Sequence, residues 1–210
     1  MNSWWWPNRK NRAGERRAAC PRVTVLLAAV LAATVSPVTE TQARSPSNSC
    51  EEAIARVERL VGIPSGLLLA VGRVESGLST GGEPRVWAWT INAAGRPMRF
   101  GSRRMAVQTV RRLLADGVRS IDVGCVQINL KHHPDAFATL DDAFDPDLNA
   151  AYGARFLLSL YASTGSWDEA VGRYHAGSAG PEHRKRGYAC SVYKHFVRVR
   201  RDAAPHAPGC

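Results

Sequence analysis

The 210-residue sequence has few acidic residues, few cysteines and no long apolar run. Lys and Arg number 28 against 18 Asp and Glu, which gives a formal net charge of +10. The longest apolar stretch is shorter than the roughly 20 residues that span a bilayer as a helix. No internal repeat with a period of roughly 20 to 50 residues is present, which excludes a repeat architecture. These absences favour a single globular domain of about 150 residues.

The spacings that metal sites and nucleic-acid-binding domains use are missing as well. There is no Cys-x-x-Cys or His-x-x-x-His pair, and His132 and His133 are adjacent, so their side chains point apart. We therefore expect neither a metal ion nor another cofactor. Basic residues are not interleaved with aromatic ones, which argues against a nucleic-acid partner.

Residues 1–43 have the composition of a secretory signal peptide. A basic stretch precedes an apolar run from Val23 to Val35, and Thr41-Gln42-Ala43 offers small residues to a signal peptidase. We expect cleavage there and export to the periplasm, with an uncleaved inner-membrane anchor as the alternative. Without residues 1–43 the net charge falls to +6, which suits an anionic polymer or a membrane surface. The expected domain then occupies residues 44–202, followed by a tail at 203–210.

The segment from Ile63 to Gly77 is predicted to form an apolar helix with a carboxylate in its last turn. Pro64 suits the first helical position, and Gly77 is expected to end the helix in the left-handed conformation. The buried face is predicted to consist of Leu67, Ala70, Val71 and Val74. The helix dipole and the apolar flank would both favour the protonated form of Glu75. A protonated carboxylic acid can serve as a general acid, and an exposed helix-end glutamate is the alternative.

The rest of the chain is predicted to be mainly helical. Residues 86–100 hold β-forming residues around a short Gly-containing turn, which is typical of a hairpin. Residues 121–129 show no helical period. Helix starts are predicted at Ser49, Ser102, Asp145, Ser166 and Tyr188. The last of these helices is predicted to bury an apolar stripe of Tyr188, Val192, Phe196 and Val199. Two of them, Ser49 and Ser166, have a Glu three residues later, the pattern of a capping box.

Export would allow disulfide bonds between the four cysteines beyond the leader. Four cysteines allow three pairings, and the sequence alone does not choose among them. We favour Cys50–Cys190, because this bridge would close a long loop between the first and the last helix. Cys125 is then interpreted as a small buried apolar residue and Cys210 as the unpaired one.

Three short motifs follow one another along the chain. They are Val74-Glu75-Ser76, Gly124-Cys125-Val126-Gln127-Ile128-Asn129 and Ala170-Val171-Gly172-Arg173-Tyr174-His175-Ala176-Gly177. Together they resemble the motifs Glu-Ser, Gly-Leu-Met-Gln-Ile-Asn and Ala-Tyr-Asn-Ala-Gly of the soluble lytic transglycosylase family. The resemblance covers about residues 50–200. The hairpin insert and the Tyr-His form of the third motif are similar to the small branch associated with secretion and conjugation machines.

This resemblance implies a mainly α, lysozyme-like single domain with a small β-hairpin insert, after an N-terminal signal peptide. It implies a lytic transglycosylase that cleaves the MurNAc–GlcNAc β-1,4 bond of peptidoglycan and forms 1,6-anhydro-MurNAc without consuming water. Glu75 would act first as general acid and then as base, and the substrate's N-acetyl group would support the charged intermediate. The implied partners are peptidoglycan glycan strands and components of a secretion or conjugation apparatus, and we expect a monomer.

The resemblance also assigns substrate-binding positions, at Ser76, Gln127, Asn129, Tyr174 and His175. His175 stands where the family has Asn, which leaves the role of that amide open. Ser76 and Asn129 could instead bond locally and shape the site. Trp87 and Trp89 could stack on sugar rings or pack within the hairpin.

A glycosidase of the usual type needs a second carboxylate, and Asp122 is the best candidate. A loop aspartate more often serves a turn or a cap, so a single-carboxylate mechanism is favoured. Two other functions stay open: a glycan-binding or assembly component without turnover, and a hydrolytic lysozyme.

Overall fold

The computed structural model describes residues 46–79, 81–200 and 210, with side chains from Cys50 onward. Within these residues the chain is mainly helical and carries two small antiparallel sheets, which confirms the predicted fold class. The helices are α1 (Pro46–Val61), α2 (Leu67–Ser76), α3 (Arg103–Ala115), α4 (Leu140–Ala143), α5 (Pro146–Thr164), α6 (Trp167–Ala176) and α7 (Glu182–Val199).

The strands form a two-stranded and a four-stranded sheet. They are β1 (Gly77–Leu78), β2 (Arg85–Val86), β3 (Thr90–Ala93), β4 (Arg96–Arg99), β5 (Ile121–Val123) and β6 (Ile128–Asn129). In the larger sheet the order is β4-β3-β5-β6, and β1 pairs with β2. Ala94 and Gly95 both have positive φ, as the two-residue turn between β3 and β4 requires. The predicted hairpin is therefore confirmed at β3 and β4, and β5 and β6 extend it.

Two apolar clusters hold these layers together. The larger lies among α1, α2, α5, α6 and α7, and its fully buried side chains include Ile54, Leu68, Val71 and Leu157. The smaller lies between α3 and the four-stranded sheet, around Ile91, Val110 and Ile121. The sheet with α3 thus forms one side of the domain, and the helical cluster forms the other.

The start of α2 is fixed by a buried acid, Glu58, which is 2% exposed. Its Oε2 accepts a hydrogen bond from the backbone N–H of Gly66 at 2.7 Å. Its Oε1 accepts from the N–H groups of Leu68 at 2.7 Å and Leu69 at 3.1 Å. Burial raises the pKa of Glu58, while these three hydrogen bonds oppose that shift. A carboxylate from the preceding helix therefore occupies N–H groups that the first turn of α2 leaves unpaired.

Both predicted ends of α2 need correction. Pro64 does not begin the helix, because it belongs to a turn in which its carbonyl oxygen accepts a hydrogen bond from the N–H of Leu67. Gly66, with φ of 91°, lies between Pro64 and the first helical residue, Leu67. Gly77 is not left-handed, since its φ of −57° and ψ of 134° make it the extended first residue of β1. A side chain at Gly77 would meet the carbonyl oxygen of Arg73. The glycine is thus required for close approach and not for a positive φ.

The predicted starts of three other helices are confirmed by their caps. Ser102 Oγ accepts from Met105 N at 3.3 Å, and Asp145 Oδ1 accepts from Asp147 N at 3.0 Å. Ser166 Oγ accepts from Glu169 N at 3.4 Å. The reciprocal half of that capping box is not formed, because the carboxylate of Glu169 binds Arg173 instead.

The first and the last helix begin earlier than predicted. Ser49 lies inside α1, so it cannot cap that helix, and Tyr188 lies in the second turn of α7. The part of α7 before Tyr188 is mostly exposed and polar, with Arg184 and Arg186 facing solvent. The start of α7 was predicted from its apolar residues. That pattern does not show an exposed, polar first part of a helix, because these residues do not pack in the core.

The disulfide bonds are Cys50–Cys125 and Cys190–Cys210, so the predicted Cys50–Cys190 pair is wrong. Cys50 and Cys125 meet in the core with Cα atoms 5.8 Å apart. The Cα atoms of Cys190 and Cys210 are 5.6 Å apart. The reason lies in helix packing: α1 packs on α5, whereas α7 packs on α2 and α6. Cys125 is therefore not a plain apolar residue, and Cys210 is not unpaired.

The signal-peptide prediction and the anchor alternative concern residues outside the described part of the chain. No helix within residues 46–79 and 81–200 is both long and apolar enough to cross a membrane.

Candidate active site

A cavity of about 520 Å³ brings the three sequence motifs together. Its walls come from the end of α2, the four-stranded sheet, α5 and α6. The motif residues that line it are Glu75, Gln127, Ile128, Asn129, Arg173, Tyr174, His175, Ala176 and Gly177. A smaller cavity of about 210 Å³ beside Cys190 and Cys210 contains no residue of the three motifs.

Glu75 lies in the last turn of α2 with 16% of its side chain exposed to the cavity. Its Oε1 accepts a hydrogen bond from the phenolic hydroxyl of Tyr188 at 2.6 Å. The same oxygen lies 3.8 Å from Nδ1 of His175. The packing of α7 against α2 positions the tyrosine, and the end of α6 positions the histidine. Glu75 is therefore a mostly buried carboxyl group, oriented by two neighbours.

His175 and Tyr188 form a stacked pair beside Glu75. Their ring centroids are 4.5 Å apart and the planes are within 5° of parallel. The interaction with Glu75 raises the pKa of His175, and burial works against this. Burial and the neighbouring Glu75 raise the pKa of Tyr188 well above its ordinary range, so Tyr188 remains a hydrogen-bond donor at neutral pH. About half of the His175 side chain stays exposed, so it can meet a ligand from the cavity.

Ser76 is fully buried and does not line the cavity. Its hydroxyl lies 2.6 Å from the carbonyl oxygen of Cys125 and 3.2 Å from that of Gly72. The first contact joins the end of α2 to the second motif. Ser76 therefore joins α2 to the second motif from behind the cavity wall, which favours the local, site-shaping interpretation of this residue.

Gln127 lines the cavity from the tight turn between β5 and β6. Its backbone is in the left-handed region with φ of 50°, which few non-glycine residues adopt. Its Nε2 donates to the carbonyl oxygens of Gly124 at 2.9 Å and Thr90 at 3.1 Å. The amide nitrogen thus holds the turn against β3. Gln127 therefore stabilises the turn and also forms part of the cavity wall.

The turn between β5 and β6 is also held by Asn149, a fully buried residue of α5. Its Nδ2 donates to Val123 and Ala143 carbonyls at 3.0 Å, and its Oδ1 accepts from Val126 N at 3.0 Å. All the polar atoms of this buried amide are therefore satisfied by the backbone around the second motif.

Tyr174 packs on Phe156, with centroids 5.1 Å apart, and its hydroxyl donates to the carbonyl oxygen of Val126 at 3.0 Å. Burial and the negative charge of Glu75 raise the pKa of Tyr174 well above its ordinary range. Gly153 allows this close approach, since a Cβ there would lie 2.5 Å from Val126 Cγ2 and 3.1 Å from the Tyr174 hydroxyl oxygen. The tyrosine thus connects the third motif to the second at the cavity wall.

Asn129 is bonded on both sides of its carboxamide. Its Nδ2 donates to Asp122 Oδ1 at 2.7 Å, and its Oδ1 accepts from the backbone N–H groups of Lys131 and His132. These contacts favour the structural interpretation of Asn129. Asp122 lines the cavity together with Glu75, so a second carboxyl group is present. Burial raises the pKa of Asp122, the bond from Asn129 lowers it, and the charge of Glu75 raises it further.

The two tryptophans pack within the β region. Trp87 Nε1 donates to the carbonyl oxygen of Phe100 at 2.9 Å, and the rings of Trp87 and Trp89 meet edge to face at 6.3 Å. Neither ring lines the cavity, which favours hairpin packing over sugar stacking.

Within the described residues, no group of three or more His, Cys, Asp and Glu side chains is arranged to hold a metal ion. His133 Nδ1 is instead 2.9 Å from the hydroxyl of Tyr152, and its ring contacts Phe156 edge to face.

The model of the transglycosylase SLT domain family matches residues 52–191, which is more than half of the chain and includes every residue that lines the 520 Å³ cavity. The chain belongs to the transglycosylase SLT domain family. No curated protein and no solved structure matches it. The mainly helical architecture with small antiparallel sheets agrees with the lysozyme-like fold of an SLT domain. Membership supports a transglycosylase-type enzyme whose substrate is peptidoglycan.

Three residues of this SLT domain site were not singled out from the sequence. Tyr188 was recognised only as part of an apolar helix face, and its contact with Glu75 spans 113 positions. Asn149 carried one signal, an amide between the apolar residues Leu148 and Ala150 of its helix. Asn92 lines the cavity from β3. The alternation of side chains along a strand did not indicate which residues Asn92 would face.

Proposed function

We propose that this protein is a peptidoglycan lytic transglycosylase that cleaves the MurNAc–GlcNAc β-1,4 bond and releases 1,6-anhydro-MurNAc ends. The observation that carries the proposal is the position of Glu75, a mostly buried carboxyl group that faces a 520 Å³ cavity and is oriented by Tyr188. A carboxylic acid in such a site can protonate the oxygen of a departing sugar.

Glu75 would act twice. With Oε1 held by the Tyr188 hydroxyl, Oε2 is left for the glycosidic oxygen, to which Glu75 delivers its proton as the bond breaks. The substrate's N-acetyl group would support the charge at the sugar. Glu75, now a carboxylate, would then take the proton of the C6 hydroxyl of MurNAc as this oxygen closes the anhydro ring. The proton taken up replaces the one given away, and no water enters the reaction.

Hydrolysis is the second candidate, because Asp122 lines the same cavity as Glu75. A retaining or inverting hydrolase uses two carboxyl groups. The hydrogen bond from Asn129 to Asp122 Oδ1 favours a structural role instead, since it ties that carboxyl group to β6. A glycan-binding component without turnover is disfavoured by the built environment of Glu75, which a scaffold would not require.

Mass spectrometry of digested peptidoglycan sacculi tests the proposal. A transglycosylase leaves anhydro ends, whereas a hydrolase leaves reducing ends that are heavier by one water. We expect anhydro-muropeptides from the wild-type protein. Reducing ends alone would establish the hydrolase, and release of neither product would establish the binding component.

We also propose that the protein works outside the cytoplasm, in local cell-wall remodelling at a secretion or conjugation apparatus. The basic and apolar leader supports export. The two disulfide bonds support it independently, because such bonds persist in oxidising compartments. N-terminal sequencing of protein from a cell-envelope fraction should begin near Arg44, and an intact Met1 would favour the anchored form.

A further inference from the structure

Asn92 is a cavity residue whose carboxamide oxygen has no partner. It lies on β3, an inner strand of the four-stranded sheet, and pairs in register with Pro97 on β4 and Asp122 on β5. Its side chain lines the same cavity as Glu75. Its Oδ1 is buried and, within the described residues, accepts no hydrogen bond. The backbone on which Asn92 stands is thus rigid, while its polar group is left unsatisfied.

The other carboxamides around this site are different. Asn129 and Asn149 are bonded through both their oxygen and their nitrogen, and Gln127 bonds two backbone carbonyls through its nitrogen. These three amides hold the turn between β5 and β6 in place. A buried polar atom without a partner reduces stability, by about 1 to 3 kcal/mol in typical cases, so a sequence gains nothing structural by keeping one. Asn92 therefore calls for a partner that arrives with a ligand.

The neighbours of Asn92 indicate what that partner is. Residues directly opposite in an antiparallel pair have side chains on the same face, which places Asn92 beside Asp122. Asp122 accepts a hydrogen bond from Asn129 through Oδ1, and as a carboxylate it has no hydrogen to donate to Asn92 Oδ1. A carboxamide is neutral, and it can turn about its last side-chain bond to present either oxygen or nitrogen to the cavity. Acetamido and hydroxyl groups of a sugar are the complementary neutral partners.

We infer that Asn92 is a substrate-binding residue, whose carboxamide turns toward the cavity and accepts a hydrogen bond through its oxygen from an N–H or O–H group of the sugar held beside Glu75. This inference rests on the proposed function, because it takes the cavity to be the glycan site. The inference adds a substrate contact from β3 to the contacts expected from residues of the three motifs. Asn92 would select a neutral hydrogen-bonding group at this position, next to two carboxyl groups that would attract cations.

Asn92→Leu tests the inference, because leucine has a similar size and no polar atom. With purified glycan strands as substrate, we expect kcat/KM for anhydro-muropeptide release to fall about tenfold, as the loss of one hydrogen bond implies. The unfolding temperature should stay the same or rise, since an unsatisfied polar atom has been removed. Asn92→Thr keeps a neutral acceptor oxygen and should retain more activity than Asn92→Leu.

Two further variants serve as controls. Gln108→Leu removes a carboxamide from the exposed face of α3 and should leave kcat/KM unchanged. Asn149→Leu removes a fully bonded amide and should lower the unfolding temperature by several degrees, which shows how a structural amide behaves.

The outcomes separate the inference from the proposed function. An active wild type whose Asn92→Leu variant keeps its full kcat/KM overturns the inference alone. A variant that loses activity together with several degrees of unfolding temperature, as Asn149→Leu should, overturns it too, because the role would then be structural. A wild-type protein that releases no anhydro-muropeptide overturns the proposed function and this inference with it.

Discussion

The hydroxyl of Tyr188 lies 2.6 Å from Oε1 of Glu75, although 113 positions separate the two residues in the sequence. The bond joins α7 to the last turn of α2. It fixes which oxygen of Glu75 is engaged by the protein, and it does so with a buried donor whose raised pKa keeps it protonated. The orientation of the proposed general acid thus depends on a helix that lies outside all three motifs.

Tyr188→Phe should therefore impair turnover while preserving the fold. The ring and its stacking on His175 remain, but the donor to Glu75 is lost. Loss of one hydrogen bond costs about 0.5 to 1.5 kcal/mol, so kcat should fall by up to about tenfold. Tyr161→Phe is the control, because Tyr161 stacks on Trp167 away from the cavity. Equal kcat values for the two variants on glycan strands would show that the Tyr188 hydroxyl does not orient Glu75.

Glu75→Gln should abolish most of the activity. The glutamine keeps the shape of the side chain but cannot deliver a proton, and a positioned general acid is worth about 100- to 10,000-fold in rate. The variant should fold and still bind sacculi, because the rest of the cavity is untouched. Release of anhydro-muropeptides, measured by mass spectrometry, provides the rate.

Asp122→Asn is the matched control for Glu75→Gln, since both carboxyl groups line one cavity. The single-carboxylate mechanism requires this variant to keep most of its activity. An inactive Asp122→Asn variant beside an active Glu75→Gln variant would show that the acid has been assigned to the wrong residue.

His175 should make the stability of the protein depend on pH. Because Glu75 raises the pKa of His175, protonation of His175 stabilises the folded state. This contribution is complete below the ordinary value of about 6.5 and is lost as the pH rises through the higher folded-state pKa. The unfolding temperature of the wild type should exceed that of His175→Asn most clearly in acid, and the difference should shrink above neutral pH.

His133 gives the opposite sign and so serves as the control for His175. Burial lowers the pKa of His133, so its protonation favours unfolding. Replacing His133 by Asn should therefore be least damaging, or even helpful, in acid. Parallel pH profiles for His133→Asn and His175→Asn would mean that the environment of His175 has been misread.

The two disulfide bonds should differ in their effect on activity. Cys50–Cys125 closes a loop of 75 residues and Cys190–Cys210 one of 20, worth about 4 and about 3 kcal/mol of unfolding free energy by the loop-entropy estimate. Only Cys125 belongs to the second motif, where its carbonyl accepts from Ser76. Replacing Cys50 and Cys125 by Ala should lower both stability and kcat. Replacing Cys190 and Cys210 should lower stability with kcat nearly unchanged, as urea unfolding and turnover assays can show.

The sequence predicted the fold class, the hairpin at β3 and β4, and the caps at Ser102, Asp145 and Ser166, because these features depend on local patterns. The order of the motifs also predicted a common site for Glu75, Gln127, Tyr174 and His175, and these four residues line one cavity. Tyr188, Asn149 and Asn92 could not be found in this way. Their roles depend on which helices and strands meet, and the apolar stripe containing Tyr188 does not show which neighbour its hydroxyl reaches.

The wrong predictions have the same origin. Cys50 and Cys190 were paired because they lie at opposite ends of the predicted domain, but the fold places Cys50 of α1 beside Cys125 in the turn between β5 and β6. Pro64 and Gly77 were interpreted from their usual preferences at helix ends. The buried carboxylate of Glu58 and the close approach of Gly77 to the Arg73 carbonyl decide those ends instead.

Helix α2 is secured at both ends, by Glu58 at its first N–H groups and by Ser76 at the Cys125 carbonyl. Its ten residues therefore set both the distance of Glu75 from the start of the helix and the direction in which its side chain points. Each residue of an α-helix advances about 1.5 Å and turns about 100°. Adding or removing a single residue within α2 would swing Glu75 to another face of the helix, even if every side chain of the cavity were kept. Related chains that share this chemistry should thus tolerate substitutions along α2 far better than any change in its length.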